Sequence, residues 1–126
     1  MNKNKFLLGG ILLFNIKLTI SKIALIFGIT GQDGQYLSEF LKGKNYDVYG
    51  VSSNVDSCTN EKIYYCNIKD NDKVYQLISD VTPDEIYNLA GQTSVAKSFS
   101  EPQETIYINL IGTINILEAI KKTNTK

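Results

Sequence analysis

Between Lys22 and Leu41 the chain reads KIALIFGITGQDGQYLSEFL, an apolar run, a glycine-rich turn and the opening of an amphipathic helix. The turn carries Gly28, Gly31 and Gly34 at three-residue spacing. A strand that feeds a helix through such a turn lets the backbone approach a pyrophosphate and set it on the positive end of the helix. Gly28 would make the tight turn, Gly31 would admit the pyrophosphate, and Gly34 would let helix pack on strand. Ile29, Thr30, Gln32 and Asp33 complete this candidate cofactor-binding turn, and Asp33 is placed to cap the helix. A glycine triplet alone is weak and gains meaning only inside a βαβ unit. The alternative is a glycine-rich turn that holds no ligand.

The remainder of the chain supplies that unit. Ile23 to Phe27 is continuously apolar, as expected of a central parallel strand covered on both faces. Tyr36, Leu37, Phe40 and Leu41 follow at helical spacing, with Gly43 near the helix end, and Tyr46 to Val51 reads as the second strand. Ser52 to Glu61 is polar and turn-rich and reads as a loop, followed by a third strand from Lys62 to Cys66. Asp70 to Val81 has apolar residues at Val74, Leu77, Ile78 and Val81, with Asp70 or Asn71 as the cap. Pro83-Asp84 starts a fourth strand, Glu85 to Leu89, and Ala90 to Glu101 reads as a small-residue loop. Pro102 opens a last helix whose apolar face is predicted to be Ile106, Leu110, Ile114, Leu117 and Ile120.

The order β-α-β-β-α-β-α predicts an α/β fold, a partial, doubly wound Rossmann domain. The expected parallel sheet order is 3-2-1-4, stopping before a fifth strand. Residues 1–21 read as an apolar N-terminal extension, and residues 22–126 as the N-terminal part of an NAD(P)-binding domain. The apolar run of that extension is shorter than the roughly 20 residues a bilayer span needs and lacks a small-x-small cleavage pattern. A cytoplasmic location is the expectation, with signal or anchor as the minor alternative.

Charge narrows the chemistry. Thirteen lysines balance thirteen acids, and the chain has neither arginine nor histidine. This gives no electrostatic case for nucleic acid. It also excludes bidentate guanidinium grip on a phosphate, a histidine base and most zinc sites, so no metal is expected. Cys58 and Cys66 have no metal-ligand partner and read as reduced thiols.

Other candidate site residues lie where strands end. An acid after the second strand favours NAD and a base favours NADP. The chain offers Ser52, Ser53 and Asn54, with Asp56 slightly beyond, which leaves the choice open. Asn67 and Ile68 could bound an adenine with an amide and an apolar side, or be a turn residue and a core residue. Leu89, Ala90, Gly91, Gln92 and Thr93 could let a nicotinamide ribose pass close to the backbone. Thr93, Ser94 and Lys97 could reach a substrate, or the stretch could be an ordinary loop.

The strings ALIFGITGQDGQYLSEFL, PDEIYNLAGQTSVAKSF and GTINILEAI resemble the extended short-chain dehydrogenase/reductases and, within them, the GDP-mannose 4,6-dehydratase family. The resemblance runs from Lys22 to about Lys122. It implies NADP as cofactor, with NAD as the alternative, lining Gly28 to Asp33, Asn67-Ile68 and Leu89 to Thr93. It also implies a position near the cofactor for Glu104, one near the 2′-phosphate for Ser53, and a substrate contact for Ser94. Asn109 and Gly112-Thr113 match the family's helix that supports the sheet. Phe27, Ser53 or Asn54, and Asn67 depart from the family's usual small hydroxyl residue, arginine and aspartate.

The implied reaction converts GDP-mannose to GDP-4-dehydro-6-deoxy-mannose. A tyrosine takes a proton as hydride leaves the sugar C4 for NADP, a glutamate assists loss of water across C5 and C6, and the hydride returns to C6. The family's Tyr-x-x-x-Lys pair follows a fifth strand and none is expected in this chain, so no catalytic residue is assigned and the 126-residue chain is expected to be an inactive fragment. Another nucleotide-sugar dehydratase or epimerase, or a non-catalytic NAD(P)-binding module, are the alternatives. A homo-oligomer or a missing C-terminal half is the expected partner, since the fourth strand would otherwise leave an apolar edge.

Overall fold

A computed structural model describes residues 7–8, 11–12, 21–91 and 95–123. Near the N-terminus, β1 (Leu7–Leu8) and β2 (Ile11–Leu12) pair antiparallel. Then follow β3 (Ile23–Phe27), α1 (Gln32–Gly43), β4 (Asp47–Ser52), β5 (Ile63–Tyr65), α2 (Asn71–Val81), β6 (Glu85–Asn88), α3 (Val95–Ser100) and α4 (Pro102–Thr123). The parallel sheet has the order β5-β4-β3-β6, the expected 3-2-1-4 arrangement.

β3 is central because it is apolar on both faces. Leu25 and Phe27 join Val51, Val74, Ile78, Ile116 and Ala119 beneath α2 and α4, whereas Ala24 and Ile26 join Ile29, Leu41 and Val48 beneath α1. The strand period of two thus divides one apolar run between two cores. Burying each large side chain contributes about 1.5–3 kcal/mol.

Helix ends follow local chemistry. Asp70 caps α2 by accepting from the Lys73 N–H at 3.2 Å, and Thr82 closes it with φ 48°, just before Pro83. α1 ends at Gly43, but the left-handed residue is Asn45 (φ 64°), whose short polar side chain tolerates that conformation.

Two expectations are corrected. The stretch Ala90 to Glu101 is not all loop, because Val95–Ser100 forms α3; no glycine or proline interrupts it. The expected apolar face of α4 is its exposed face. Ile106, Leu110 and Leu117 are 63%, 56% and 59% exposed, and of the five residues only Ile120 packs on the core. The buried face is Gly112, Asn115, Ile116 and Ala119. Small residues allow close approach: a Cβ on Gly112 would lie 3.0 Å from the Ile68 side chain. α1 shows a milder form of the same effect, since Leu41 is buried while Tyr36 and Phe40 are exposed.

Candidate functional site

The C-terminal ends of β3, β4 and β5, with the segment after β6, meet the N-terminus of α1 around a cavity of about 600 Å³. β3 ends at Phe27 and turns at Gly28, whose φ of +83° suits glycine. A side chain there would also strike the backbone of Leu89 and Ala90 at 2.8 Å. The Gly28 and Ile29 N–H groups donate to the Val51 carbonyl at 3.0 and 3.3 Å, fixing the turn against β4.

The three glycines have three different surroundings. A Cβ on Gly34 would lie 2.3 Å from the Gly28 oxygen and 2.7 Å from the Ile29 Cα, so this residue lets α1 sit on the turn. Gly31 meets only the Gly28 oxygen, at 3.5 Å, so its own face is open. Gly31 is also the N-cap residue of α1 and makes no side-chain cap. The expectation that Asp33 caps the helix is therefore corrected: Asp33 is a first-turn residue on the cavity wall. Gln32, Asp33 and Gly34 begin the helix, and their N–H groups have no intrahelical carbonyl to meet. Gln35, the next residue, already donates to the Gly31 carbonyl at 3.0 Å. Such an opening is suited to an anion.

Most expected site residues line this cavity: Gly28, Thr30, Gly31, Gln32, Asp33, Gly34, Ser53, Asn67, Ile68, Leu89, Ala90 and Gly91. Ile29 does not. Its side chain is buried on the α1 side and occupies the space over Gly50, where a Cβ would come within 2.3 Å. Glu104 also stands off the wall and reaches it through Lys69, whose Nζ donates to the Glu104 carboxylate at 2.9 Å. Gln92, Thr93 and Ser94 lie outside the described residues.

Ser52, offered with Ser53 and Asn54 as a residue that could choose the cofactor, lines the cavity as well, whereas the sequence reading missed Phe27, Val51, Cys66, Lys69 and Ile108 as lining residues. For Phe27, Val51 and Cys66 the signal was a place at or next to a strand end, whereas Lys69, beyond the turn after β5, and Ile108, inside α4, gave none. Asn67 itself makes the turn after β5, its Oδ1 accepting from the Lys69 N–H at 3.0 Å. Asn115 was also missed, although a polar residue on the inner face of α4 needs a partner. Its Nδ2 donates to the Ile68 carbonyl at 2.9 Å and so holds the cavity floor to the helix. Thr113 on α4 accepts from Asn88 Nδ2 at 3.3 Å, and Asn88 Oδ1 accepts from the Ala90 N–H at 3.2 Å.

Charge in the cavity is sparse. Among the described lining residues only Asp33 and Lys69 carry it. Lys69 is held by Glu104 and lies 5.8 Å from the Tyr107 ring centre. Burial, aided by Asp70, pushes the Cys66 thiol up to about 11, so this wall residue is neutral and weakly nucleophilic near pH 7.

One string does have the Tyr-x-x-x-Lys spacing, Tyr65 to Lys69, against the expectation that the chain carries no such pair. Tyr65 ends β5 and Lys69 follows the turn, so the helical turn that would place both side chains on one face is missing. Tyr65 is exposed and does not line the cavity.

The sequence profile of the GDP-mannose 4,6-dehydratases matches residues 25–126. The chain belongs to that family. The GDP-mannose 4,6-dehydratase of Vibrio cholerae serotype O1 is 40% identical across 79% of this chain and 31% of its own length. GDP-mannose 4,6 dehydratase 2 of Arabidopsis thaliana is 41% identical over the same shares. The chain thus spans about a third of the length of the curated relatives it matches.

Solved structures share the fold. The UDP-glucose 4-epimerase of Thermotoga maritima, crystallised with UDP-glucose, superposes with a TM-score of 0.72 at 29% identity, over 82% of this chain and 35% of its own. The dTDP-4-dehydrorhamnose reductase of Bacillus anthracis, in complex with NADP, gives 0.70 at 25% identity, over 85% and 35%. In this GDP-mannose 4,6-dehydratase family member, the glycine turn and the strand ends line one cavity at the C-terminal edge of the parallel sheet, where open α/β sheets bind their ligands. Among the described residues, no helix is long and apolar enough to cross a membrane.

Proposed function

We propose that this chain supplies the dinucleotide-binding part of a GDP-mannose 4,6-dehydratase, which turns GDP-mannose into GDP-4-dehydro-6-deoxy-mannose. The observation that carries the reading is the open face of Gly31 at the mouth of α1, between a positive-φ Gly28 and a close-packed Gly34. The Gln32, Asp33 and Gly34 N–H groups would bind a pyrophosphate, Asn67 and Ile68 would bound the adenine, and Leu89 to Gly91 would flank the nicotinamide ribose. A bound nicotinamide dinucleotide supplies reversible hydride transfer at the sugar. The resemblance implies NADP, and solved structures of the same fold were determined in complex with NAD or NADP. The chain's own residues hold and orient the cofactor, and Asp33, on the wall beside the diphosphate position, turns its carboxylate away or meets the diphosphate through water.

Calorimetric titration of the full chain tests this. Saturable binding of NAD or NADP is expected, weakened about tenfold or more by Gly31→Val, which fills the cradle while leaving the fold's contacts intact. Unaltered binding in that variant overturns the assignment of the site.

A second reading, a binding module without catalysis, draws on one observation. The charged residues on the described wall are Asp33 and a Lys69 already held by Glu104, and no tyrosine is among the described lining residues. Incubating the chain with GDP-mannose and either cofactor is expected to yield no 4-dehydro product. Turnover by this chain alone would overturn the second reading.

A further inference from the structure

We infer that the cavity selects the dinucleotide without a 2′-phosphate, NAD, over NADP. This rests on the dinucleotide reading of the cavity and departs from what the family resemblance implies. With a pyrophosphate at the α1 N-terminus, the adenosine ribose falls at the end of β4, where the following residues distinguish a hydroxyl from a phosphate. β4 ends in Ser52, followed by Ser53 and Asn54.

Two of these three side chains are already committed. Ser52 is buried, its Oγ donating to the Asn54 carbonyl at 3.3 Å and accepting from the Asn54 N–H at 3.1 Å. Asn54 Oδ1 accepts from the Asp56 N–H at 3.0 Å, capping the short 3₁₀ turn Val55–Ser57. Ser53 remains, exposed and on the cavity wall, with a neutral hydroxyl that can donate to or accept from a ribose hydroxyl. The turn beyond it adds an acid, Asp56, rather than a base.

A 2′-phosphate brings about −1.5 to −2 of charge at pH 7 and needs cations. The chain has no arginine anywhere. Lys69 is the one cation among the described lining residues, and Glu104 holds it toward α4 at 2.9 Å. Drawing that ammonium to a phosphate would leave the Glu104 carboxylate without its partner. NAD makes neither demand.

The test titrates the full chain with NAD and with NADP at one ionic strength, by calorimetry. NADP is expected to bind about tenfold or more weaker than NAD, since an unpaired phosphate meets an acidic turn. Ser53→Arg, which sets a guanidinium at this exposed wall position, is expected to strengthen NADP about tenfold and so bring the ratio of the two affinities toward one. Equal or tighter NADP binding by the unaltered chain overturns the inference, and loss of that binding in Lys69→Gln would name the cation responsible. A Ser53→Arg chain with unchanged preference overturns Ser53 as the selecting position. If neither nucleotide binds, the dinucleotide reading itself fails and takes the inference with it, a result distinct from NADP binding tightly.

Discussion

Helices α2 and α4 lie side by side on one face of the sheet, and both carry apolar residues at helical spacing. In α2 the spaced residues Val74, Leu77, Ile78 and Val81 are all buried. In α4 the equivalent stripe of Ile106, Leu110, Ile114 and Leu117 faces outward, and a smaller, partly polar stripe faces in. α2 is amphipathic, so burying its apolar face settles its rotation. α4 is apolar around most of its circumference, so hydrophobicity alone leaves the rotation open. Close approach decides it: Gly112 fits against Ile68, in the segment between β5 and α2, Ala119 is fully buried, and Asn115 finds the Ile68 carbonyl.

This contrast can be broken by substitution. Ile78→Ala removes a fully buried α2 side chain and should cost about 3 kcal/mol, measured as a fall in the denaturant midpoint. A loss under about 1 kcal/mol would mean that α2 is not packed as described. Asn115→Ala on the inner face of α4 should cost about 2 kcal/mol, because it leaves the Ile68 carbonyl buried and unpaired. If Asn115→Ala were neutral, the inner face of α4 would be wrongly assigned.

Smaller effects sharpen the comparison. Asp70→Ala removes the α2 cap and should cost about 1 kcal/mol. Cys66, beneath α2, adds a pH dependence. Its thiol is raised from 9.0 to about 11 by burial, so its contribution is fully present below pH 9 and is lost as pH rises through about 11. Stability should therefore fall over that window more steeply in the unaltered chain than in Cys66→Ala, as followed by denaturation at several pH values. Least of all, Leu110→Lys with Leu117→Lys on the outer face of α4 should shift stability by no more than about 0.5 kcal/mol while reducing any self-association seen by size exclusion. A large loss of stability there would show that the outer stripe is buried.

Much of the site was legible because it is local. The roles of Gly28 and Gly34 follow from a strand that must turn sharply into a helix, and the structure gives a positive φ at one and a 2.3 Å obstruction at the other. Asn67 and Leu89 to Gly91 were legible as strand ends that the parallel sheet brings to one edge. Lys69 was not, since it becomes a wall residue only through the turn that Asn67 makes. Ile29 was misread because turn membership does not say which way a side chain points, and here it fills the space above Gly50.

Residue spacing, chain handedness and backbone freedom are enough to set the α/β class, the 3-2-1-4 order and the glycine turn. The tertiary structure alone decided which face of α4 is buried, which residues wall the cavity, and that Glu104 acts on it only through Lys69. Those are contacts between segments 35 or more residues apart, and when an element is apolar on several sides, only the fit against its neighbours can choose among them.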